Sequence, residues 1–160
     1  ALRFNPDIIV VGEMRGPEAN AAQEAARTGV AVVTTIHSNS CEATYRRMVS
    51  LCKRAVDMSD ETLLSYVTEA YPIVAFCKQL ENRERRLMEI QECEIRPDGT
   101  RSYRPLFQYK ITENRVEDGK FIIEGRHEQV HTISDGLAKR LLENGMPGEA
   151  LKQLRGGVNV

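Results

Sequence analysis

The stretch that decides the fold is residues 5–16, which read NPDIIVVGEMRG. Its centre, Ile8-Ile9-Val10-Val11, is an uninterrupted run of aliphatic residues, and such a run predicts a strand covered on both faces, as in a parallel sheet. Gly16-Pro17 predicts the start of an alanine-rich helix, which Gly29 is placed to end. A second apolar run, Val30 to Ile36, follows at once. The order strand, helix, strand predicts two parallel strands joined by a crossover helix.

The remaining pattern predicts an α/β chain whose second part is antiparallel. Helices are expected from Cys41 to about Val56 and from Ser59 to Pro72. Strands separated by turns are then expected at Ile73–Leu80, Arg86–Ile95, Tyr103–Ile111 and Phe121–Ile123. A helix from about Ser134 to Glu143 and a short helix after Pro147 follow. The residues predicted to share one face of the third of these strands by period two are Tyr103, Phe107, Tyr109 and Ile111.

Two polar side chains follow the two predicted parallel strands. Glu13 lies just past the end of the first strand, and His37 lies just past the end of the second. Because the carboxyl ends of parallel neighbours meet at one edge of a sheet, where open α/β sheets bind ligands, both side chains are expected to emerge there.

An apolar strand followed by a small residue and a glutamate is also the layout of a Walker B segment. There a carboxylate at the strand end handles the magnesium ion and the attacking water of a nucleoside triphosphatase. The spacing around Glu13 fits equally well a solvated glutamate with no catalytic role, so both interpretations stay open on spacing alone.

The residues themselves carry a more specific signal. The stretch Leu2–Gly16, followed by Thr28-Gly29 and Thr34–Ser40, closely resembles the Walker B and His-box segments of the type II/type IV secretion ATPase superfamily. Its members are the hexameric motors of secretion systems and of type IV and Flp pili. The later segments are most similar to the Flp/Tad pilus assembly (CpaF-like) branch. They are Tyr71–Ala75, Arg85–Glu92 and Pro105–Phe107.

The resemblance implies a RecA-like P-loop NTPase fold, with a largely parallel core sheet extended by antiparallel strands and flanked by helices. Residues 1–72 would be the Walker B and His-box part of this core, and residues 73–133 its antiparallel extension. Residues 134–160 would form the C-terminal helices and tail.

The resemblance also implies roles for individual residues. Glu13 would be the Walker B glutamate, which polarises the attacking water and helps to hold the magnesium shell. His37 would sense the terminal phosphate. Arg15 and Arg47 would be positively charged supports of the site or of subunit contacts. Gly12 stands where many other P-loop proteins have an aspartate, and this superfamily also has glycine there.

The implied cofactors are ATP and Mg²⁺, and the implied assembly is a homo-hexamer docked on an inner-membrane platform protein. The expected location is cytoplasmic, at the inner face of the cytoplasmic membrane. The charge balance of 22 basic and 23 acidic residues makes nucleic acid or an anionic membrane surface an unexpected main partner. The longest apolar runs are too short to span a bilayer.

The phosphate-binding loop of such an ATPase is missing from the sequence. The pattern G-x-x-x-x-G-K-[ST] does not occur, and the one Gly-Lys pair, Gly119-Lys120, falls in a predicted turn. Because the chain also opens at Ala1 rather than at a methionine, we expect a C-terminal fragment of a larger ATPase. Such a fragment would neither bind ATP tightly nor hydrolyse it, and its exposed sheet edge would favour self-association.

Two other functions fit parts of the sequence. A non-enzymatic assembly module of the same machinery would need no phosphate-binding loop. His127-Glu128-Gln129-Val130-His131 matches the zinc-protease signature H-E-x-x-H, which needs a helix to bring both histidines to one metal. The surrounding residues predict an extended segment, so surface histidines are expected instead. The four cysteines, Cys41, Cys52, Cys77 and Cys93, contain no C-x-x-C pair and are expected to be reduced thiols.

Overall fold

The computed structural model describes residues 2–96 and 98–156. The chain forms two units, residues 1–72 and 73–160. The tail predicted at the end of residues 134–160 lies, from residue 157 onward, outside the described residues.

The first unit contains the predicted parallel strands. Strand β1 spans Ile8–Val11, helix α1 Glu18–Arg27, strand β2 Ala31–Thr34, helix α2 Cys41–Cys52 and helix α3 Asp60–Ala70. β1 and β2 pair in parallel, with Ile8 opposite Ala31 and Val11 opposite Thr34. The predicted strand-helix-strand order is therefore confirmed, although β2 and α2 are shorter than expected.

The core of the first unit lies among its helices. Small residues of α1 let α2 and α3 approach it closely, as the alanine-rich sequence of α1 suggests. Its most deeply buried side chains include Ala19, Ala25, Tyr45, Met48, Leu51, Leu63 and Val67. The Tyr45 hydroxyl donates a hydrogen bond of 2.7 Å to the carbonyl of Tyr71, which satisfies the one polar atom of this buried side chain.

The prediction that both strands are covered on both faces is wrong for this chain. On the outer face of the β1–β2 pair, Ile8, Val10 and Val33 are 58%, 72% and 58% exposed. The other face, which carries Ile9, packs towards the helices but leaves an apolar cavity of about 470 Å³ beside β1. Within residues 2–72, the outer face therefore carries exposed aliphatic side chains.

The second unit is an antiparallel meander with two helices. Its strands are β3 Ile73–Gln79, β4 Arg85–Ile95, β5 Arg101–Glu117 and β6 Lys120–Gln129. They pair in the order β3-β4-β5-β6. Helices α4, Asp135–Glu143, and α5, Gly148–Arg155, follow. The four predicted strands and two helices are confirmed, and β5 and β6 extend well beyond their expected ends.

A β-bulge corrects the predicted face of β5. Tyr103 pairs with Cys93 and Phe107 with Ile90, so the register passes over one extra residue of β5, Leu106. Because Cys93 and Ile90 are three residues apart, they lie on opposite faces of β4, and so do their partners. The prediction that Tyr103 shares a face with Phe107 is therefore wrong. The residues that stay on one face are Phe107, Tyr109 and Ile111.

Helix α4 covers one face of the meander. Leu106, Ile133 and Ala138 form the buried centre of this contact. Ser134 caps α4, since its hydroxyl accepts a hydrogen bond of 3.0 Å from the Leu137 N–H. The carboxylate of Glu92 is buried and accepts hydrogen bonds from both the N–H and the hydroxyl of Ser134. This contact ties the start of α4 to β4.

Among the helices of the described residues, none is both long enough and apolar enough to cross a membrane.

Candidate functional site

The ends of β1 and β2 are held together beyond the last ladder pair. The Met14 N–H donates a hydrogen bond of 2.9 Å to the carbonyl of Thr35. The Thr35 hydroxyl donates one of 2.6 Å to the carbonyl of Gly12. The Met14 side chain is buried at 1% exposure, so it anchors the segment in the core while its neighbours point outward. The loop after β1 and the loop after β2 therefore run side by side at the carboxyl edge of the pair.

Glu13 and His37 meet at this edge. The Glu13 Oε1 atom lies 3.2 Å from His37 Nε2 and 2.6 Å from Arg15 Nε. The contacts to Oε1 are ion-pair contacts, because neither is aligned as a hydrogen bond. The Glu13 side chain is 28% exposed, while those of Arg15 and His37 are 73% and 83% exposed. The carboxylate is thus partly shielded, and the side chains of Arg15 and His37 face solvent.

The electrostatics of the site favour an ionised glutamate. The contact with the Arg15 guanidinium lowers the pKa of Glu13 most strongly, against a smaller opposing effect of desolvation. Electrostatic interaction with Arg15, His37 and Arg47 lowers the pKa further. In turn, the contact with Glu13 raises the pKa of Arg15. The Glu13 carboxylate is therefore a base and hydrogen-bond acceptor that stays charged at neutral pH.

The other two residues expected at the site have different surroundings. Arg47 lies on the exposed side of α2, and within the described part of the chain it forms no salt bridge. Gly12 lies in open space, since a Cβ built there would meet no atom within 4 Å. The structure therefore brings Glu13, Arg15, His37 and Arg47 into one electrostatic neighbourhood, with Gly12 beside it.

Two residues that shape the site had no role in the sequence predictions. Glu18 Oε1 accepts hydrogen bonds from the backbone N–H groups of Arg15, at 2.6 Å, and Gly16, at 2.8 Å. Arg54 Nη1 donates one of 3.0 Å to the carbonyl of Arg15. A carboxylate in the first turn of a helix after proline is a sequence signal for a contact with backbone N–H groups. Arg54 carries no such signal, because its contact depends on how α2 ends.

The H-E-x-x-H stretch does not form a metal site in the part of the chain that the structure describes. In residues 2–96 and 98–156, no three His, Cys, Asp or Glu side chains come together as a metal-binding group. The H-E-x-x-H stretch lies in β6 and the extended segment after it, so it lacks the required helix. Instead, His127 Nε2 lies 2.9 Å from the carbonyl of Leu87, and His131 Nδ1 lies 2.9 Å from that of Pro105. The metalloprotease alternative therefore has no geometric support.

The cysteines do not form a reactive site either. Cys41, Cys52 and Cys93 are buried, and Cys77 is exposed on β3. Burial raises the pKa of Cys52 and of Cys93 to about 11. These two thiols are therefore neutral at physiological pH, unlike a catalytic cysteine.

A family model matches most of the chain, and individual known proteins match shorter parts of it. A family model described as type II/IV secretion system protein matches residues 1–148. The type IV pilus assembly ATPase PilB of Pseudomonas aeruginosa is 35% identical over 80 residues, which are 49% of this chain and 14% of PilB. The competence protein ComGA of Streptococcus pneumoniae is 40% identical over 52 residues, which are 32% of this chain and 17% of ComGA. The matching stretch thus spans less than one fifth of either relative.

A solved structure shares the fold. The VirB11 ATPase of the Brucella suis type IV secretion system, crystallised with sulphate, superposes with a TM-score of 0.54 at 23% identity. The similar region covers 57% of this chain and 30% of the VirB11 chain. At that identity the likeness shows a shared mixed α/β fold and no more.

Proposed function

The chain belongs to the family of type II/IV secretion system proteins, and on that basis we propose that it is part of an ATPase driving protein export or pilus assembly. The observation that carries this proposal is the contact of 3.2 Å between Glu13 and His37 at the carboxyl ends of two parallel strands. This is the edge at which α/β sheets bind ligands.

The proposed roles are those that the sequence resemblance implies, and the state of each side chain supports them. Glu13, ionised and partly shielded, would polarise the attacking water and help to hold the hydrated magnesium ion. His37, which is 83% exposed beside it, would donate a hydrogen bond to the terminal phosphate. Arg15 holds the Glu13 carboxylate, and Arg47, whose charge reaches the same carboxylate, supports the site or a subunit contact.

The fit of Mg-ATP to this chain is partial. Mg-ATP supplies the anhydride bond to be broken and a cation that offsets phosphate charge. One carboxylate and one imidazole fit the water and phosphate side of such a site. A phosphate-binding loop is absent from the sequence, and no group of three metal-binding side chains occurs in the described residues. We therefore propose that the parent protein supplies the phosphate cradle and that this chain alone is inactive.

The finer assignment rests on the sequence resemblance. We place the chain in the C-terminal half of a RecA-like ATPase domain of the Flp/Tad (CpaF-like) branch. The parent would be a homo-hexamer at the inner face of the cytoplasmic membrane, docked on an inner-membrane platform protein. The nearly neutral charge of the chain supports a protein rather than a nucleic acid as its partner.

Turnover measurements test this proposal. We expect no ATP hydrolysis by the purified chain. In the parent protein, Glu13→Gln should lower kcat by at least about 100-fold, since general-base catalysis typically contributes that much. Glu42→Gln is the matched control, because Glu42 is an exposed helical glutamate paired with Arg46, and it should leave kcat unchanged. Turnover by the purified chain that disappears in Glu13→Gln would refute the inactivity, and normal turnover of the parent variant would refute the role of Glu13.

The missing phosphate-binding loop favours a second candidate, a non-enzymatic assembly module. The coding sequence upstream of Ala1 separates the two functions. A phosphate-binding loop with its lysine about 60 to 100 residues upstream supports the ATPase. An upstream sequence without one supports the assembly module.

A further inference from the structure

The carboxylate of Glu18 binds the backbone of the loop that carries Glu13. Glu18 Oε1 receives two backbone N–H groups, those of Arg15 and Gly16, at 2.6 and 2.8 Å. Glu18 Oε2 lies directly over Gly16, because a Cβ built on that glycine would be 2.9 Å from it. The absence of a side chain at position 16 therefore lets the carboxylate reach the backbone.

Other contacts hold the same loop on its carbonyl side. Arg54 donates to the Arg15 carbonyl at 3.0 Å, and Thr35 donates to the Gly12 carbonyl at 2.6 Å. The buried Met14 side chain anchors the middle of the loop. Between these anchors, Glu13 and Arg15 extend to the same side and touch each other. The orientation of the Glu13 side chain thus depends on a loop whose backbone is held by contacts on both sides of Glu13.

The contact made by Glu18 differs from an ordinary helix cap. A capping side chain usually bonds to the N–H groups of the first turn of its own helix. Glu18 opens α1 but reaches backwards, to two residues that precede the helix. These N–H groups lower the pKa of Glu18, so the carboxylate remains charged and the contact persists at neutral pH.

We propose that Glu18 is a positioning residue, which holds the loop at residues 12–16 so that Glu13 faces Arg15 and His37. The inference builds on the proposed function, since it gives the Glu13 site its support. Glu18 itself touches none of the groups expected to react. Its effect reaches the site through the backbone of Arg15 and Gly16.

The pKa of Glu13 in this chain reports the effect of Glu18 directly. It can be followed by NMR titration of the ¹³C-labelled side-chain carboxyl, assigned from its absence in Glu13→Gln. The titratable and charged groups facing Glu13 are Arg15 in the same loop, His37 after β2 and Arg47 on α2. Glu18→Ala removes the acceptor of both backbone N–H groups, whereas glutamine would keep an amide oxygen that can accept them. If Glu18→Ala releases the loop, Glu13 moves away from the Arg15 guanidinium and its pKa rises.

The sign of the change separates positioning from simple charge. Removing a nearby negative charge would by itself lower the pKa of Glu13, because the ionised form would meet less repulsion. A rise in Glu18→Ala is therefore the expected result. Glu42→Gln removes a carboxylate from the first turn of α2 and should leave the pKa of Glu13 unchanged.

A second variant covers the case in which Glu18→Ala does not fold. Gly16→Ala keeps every charge but places a methyl group 2.9 Å from Glu18 Oε2, so the end of the Glu18 side chain must shift at its contact with the loop. The pKa of Glu13 should rise here as well. An unchanged or lowered pKa in either folded variant would overturn the proposal. Since this readout needs no ATP hydrolysis, it is independent of whether the parent protein is an ATPase.

Discussion

At Gly125 the backbone of β6 passes too close to its neighbours for any side chain. A Cβ built there would lie 2.4 Å from the Lys110 carbonyl oxygen and 2.8 Å from the Tyr109 ring. The Tyr109 ring covers the glycine and packs against His127, with ring centroids 5.0 Å apart. We expect Gly125→Ala to lower the free energy of unfolding by about 1–3 kcal/mol, as is usual for overpacking, measured by urea denaturation.

The control for Gly125→Ala is a glycine of the same unit with room around it. At Gly136, in α4, the nearest atom to a built Cβ is Ser134 Oγ at 3.7 Å, an ordinary contact. Gly136→Ala should stabilise the unit slightly, by up to about 1 kcal/mol, because alanine favours a helix. Equal effects of the two substitutions would show that crowding at Gly125 is not the cause.

Buried acidic groups predict a loss of stability in alkali. Burial raises the pKa of Cys52 and Cys93 to about 11 and that of Tyr71 to about 12. An unfolded thiol ionises at about pH 8.5, so above that pH the unfolded state releases its protons first. The free energy of unfolding should therefore be unaffected by these groups below about pH 8.5 and fall as the pH rises towards 11. Urea denaturation at each pH measures the free energy of unfolding. A smaller decrease in Cys52→Ala and Cys93→Ala would attribute the decrease to the thiols.

At the start of α4, one hydroxyl group makes two contacts. Ser134→Ala removes the cap on the Leu137 N–H and also a hydrogen bond to the buried Glu92 carboxylate. Losing a cap costs about 0.5–2 kcal/mol, and an underbonded buried carboxylate adds about 1–3 kcal/mol. Ser59 caps α3 at the surface, through the Thr62 N–H alone among backbone groups. Denaturation should show a larger loss for Ser134→Ala than for Ser59→Ala, and the reverse order would contradict the role of Glu92.

Most elements of the chain could be predicted because their boundaries are local. Gly29 and Gly145, both with positive φ, end α1 and α4 where the sequence places them. The far half of β5 was not predictable, since its polar residues after Ile111 are exposed and show no alternation. The bulge at Leu106 was not predictable either, because it depends on the pairing with β4.

Of the candidate site, the sequence allowed prediction only of the contacts that follow from the order and direction of the strands. The meeting of Glu13 and His37 follows from two parallel strands that end side by side. The contacts of Glu18 and Arg54 depend on the course of a loop, which neither periodicity nor spacing describes. The bare outer face of β1 and β2 was missed for another reason, since an apolar strand sequence does not say what covers it.

We expect the outer face of the β1–β2 pair to promote self-association of the isolated chain. Ile8, Val10 and Val33 are all exposed there, whereas parallel sheets are normally covered on both faces. We expect concentration-dependent association in sedimentation experiments and a weaker association for Val10→Lys. Val116→Lys, at a valine that is 63% exposed in the second unit, is the matched control. A monomer at high concentration, or an equal effect of Val116→Lys, would refute the hypothesis that the outer face of β1–β2 mediates the association.

The pairing order of the second unit also has a consequence for how the chain folds. Each strand of β3-β4-β5-β6 pairs with the strand next to it in sequence. Short loops close at little entropic cost, so these hairpins can form one after another as the chain leaves the ribosome. The contact of Glu92 with Ser134 spans 42 residues and closes a longer loop, at a greater entropic cost than any of these hairpins. We therefore expect the meander to form first and α4 to dock onto it last.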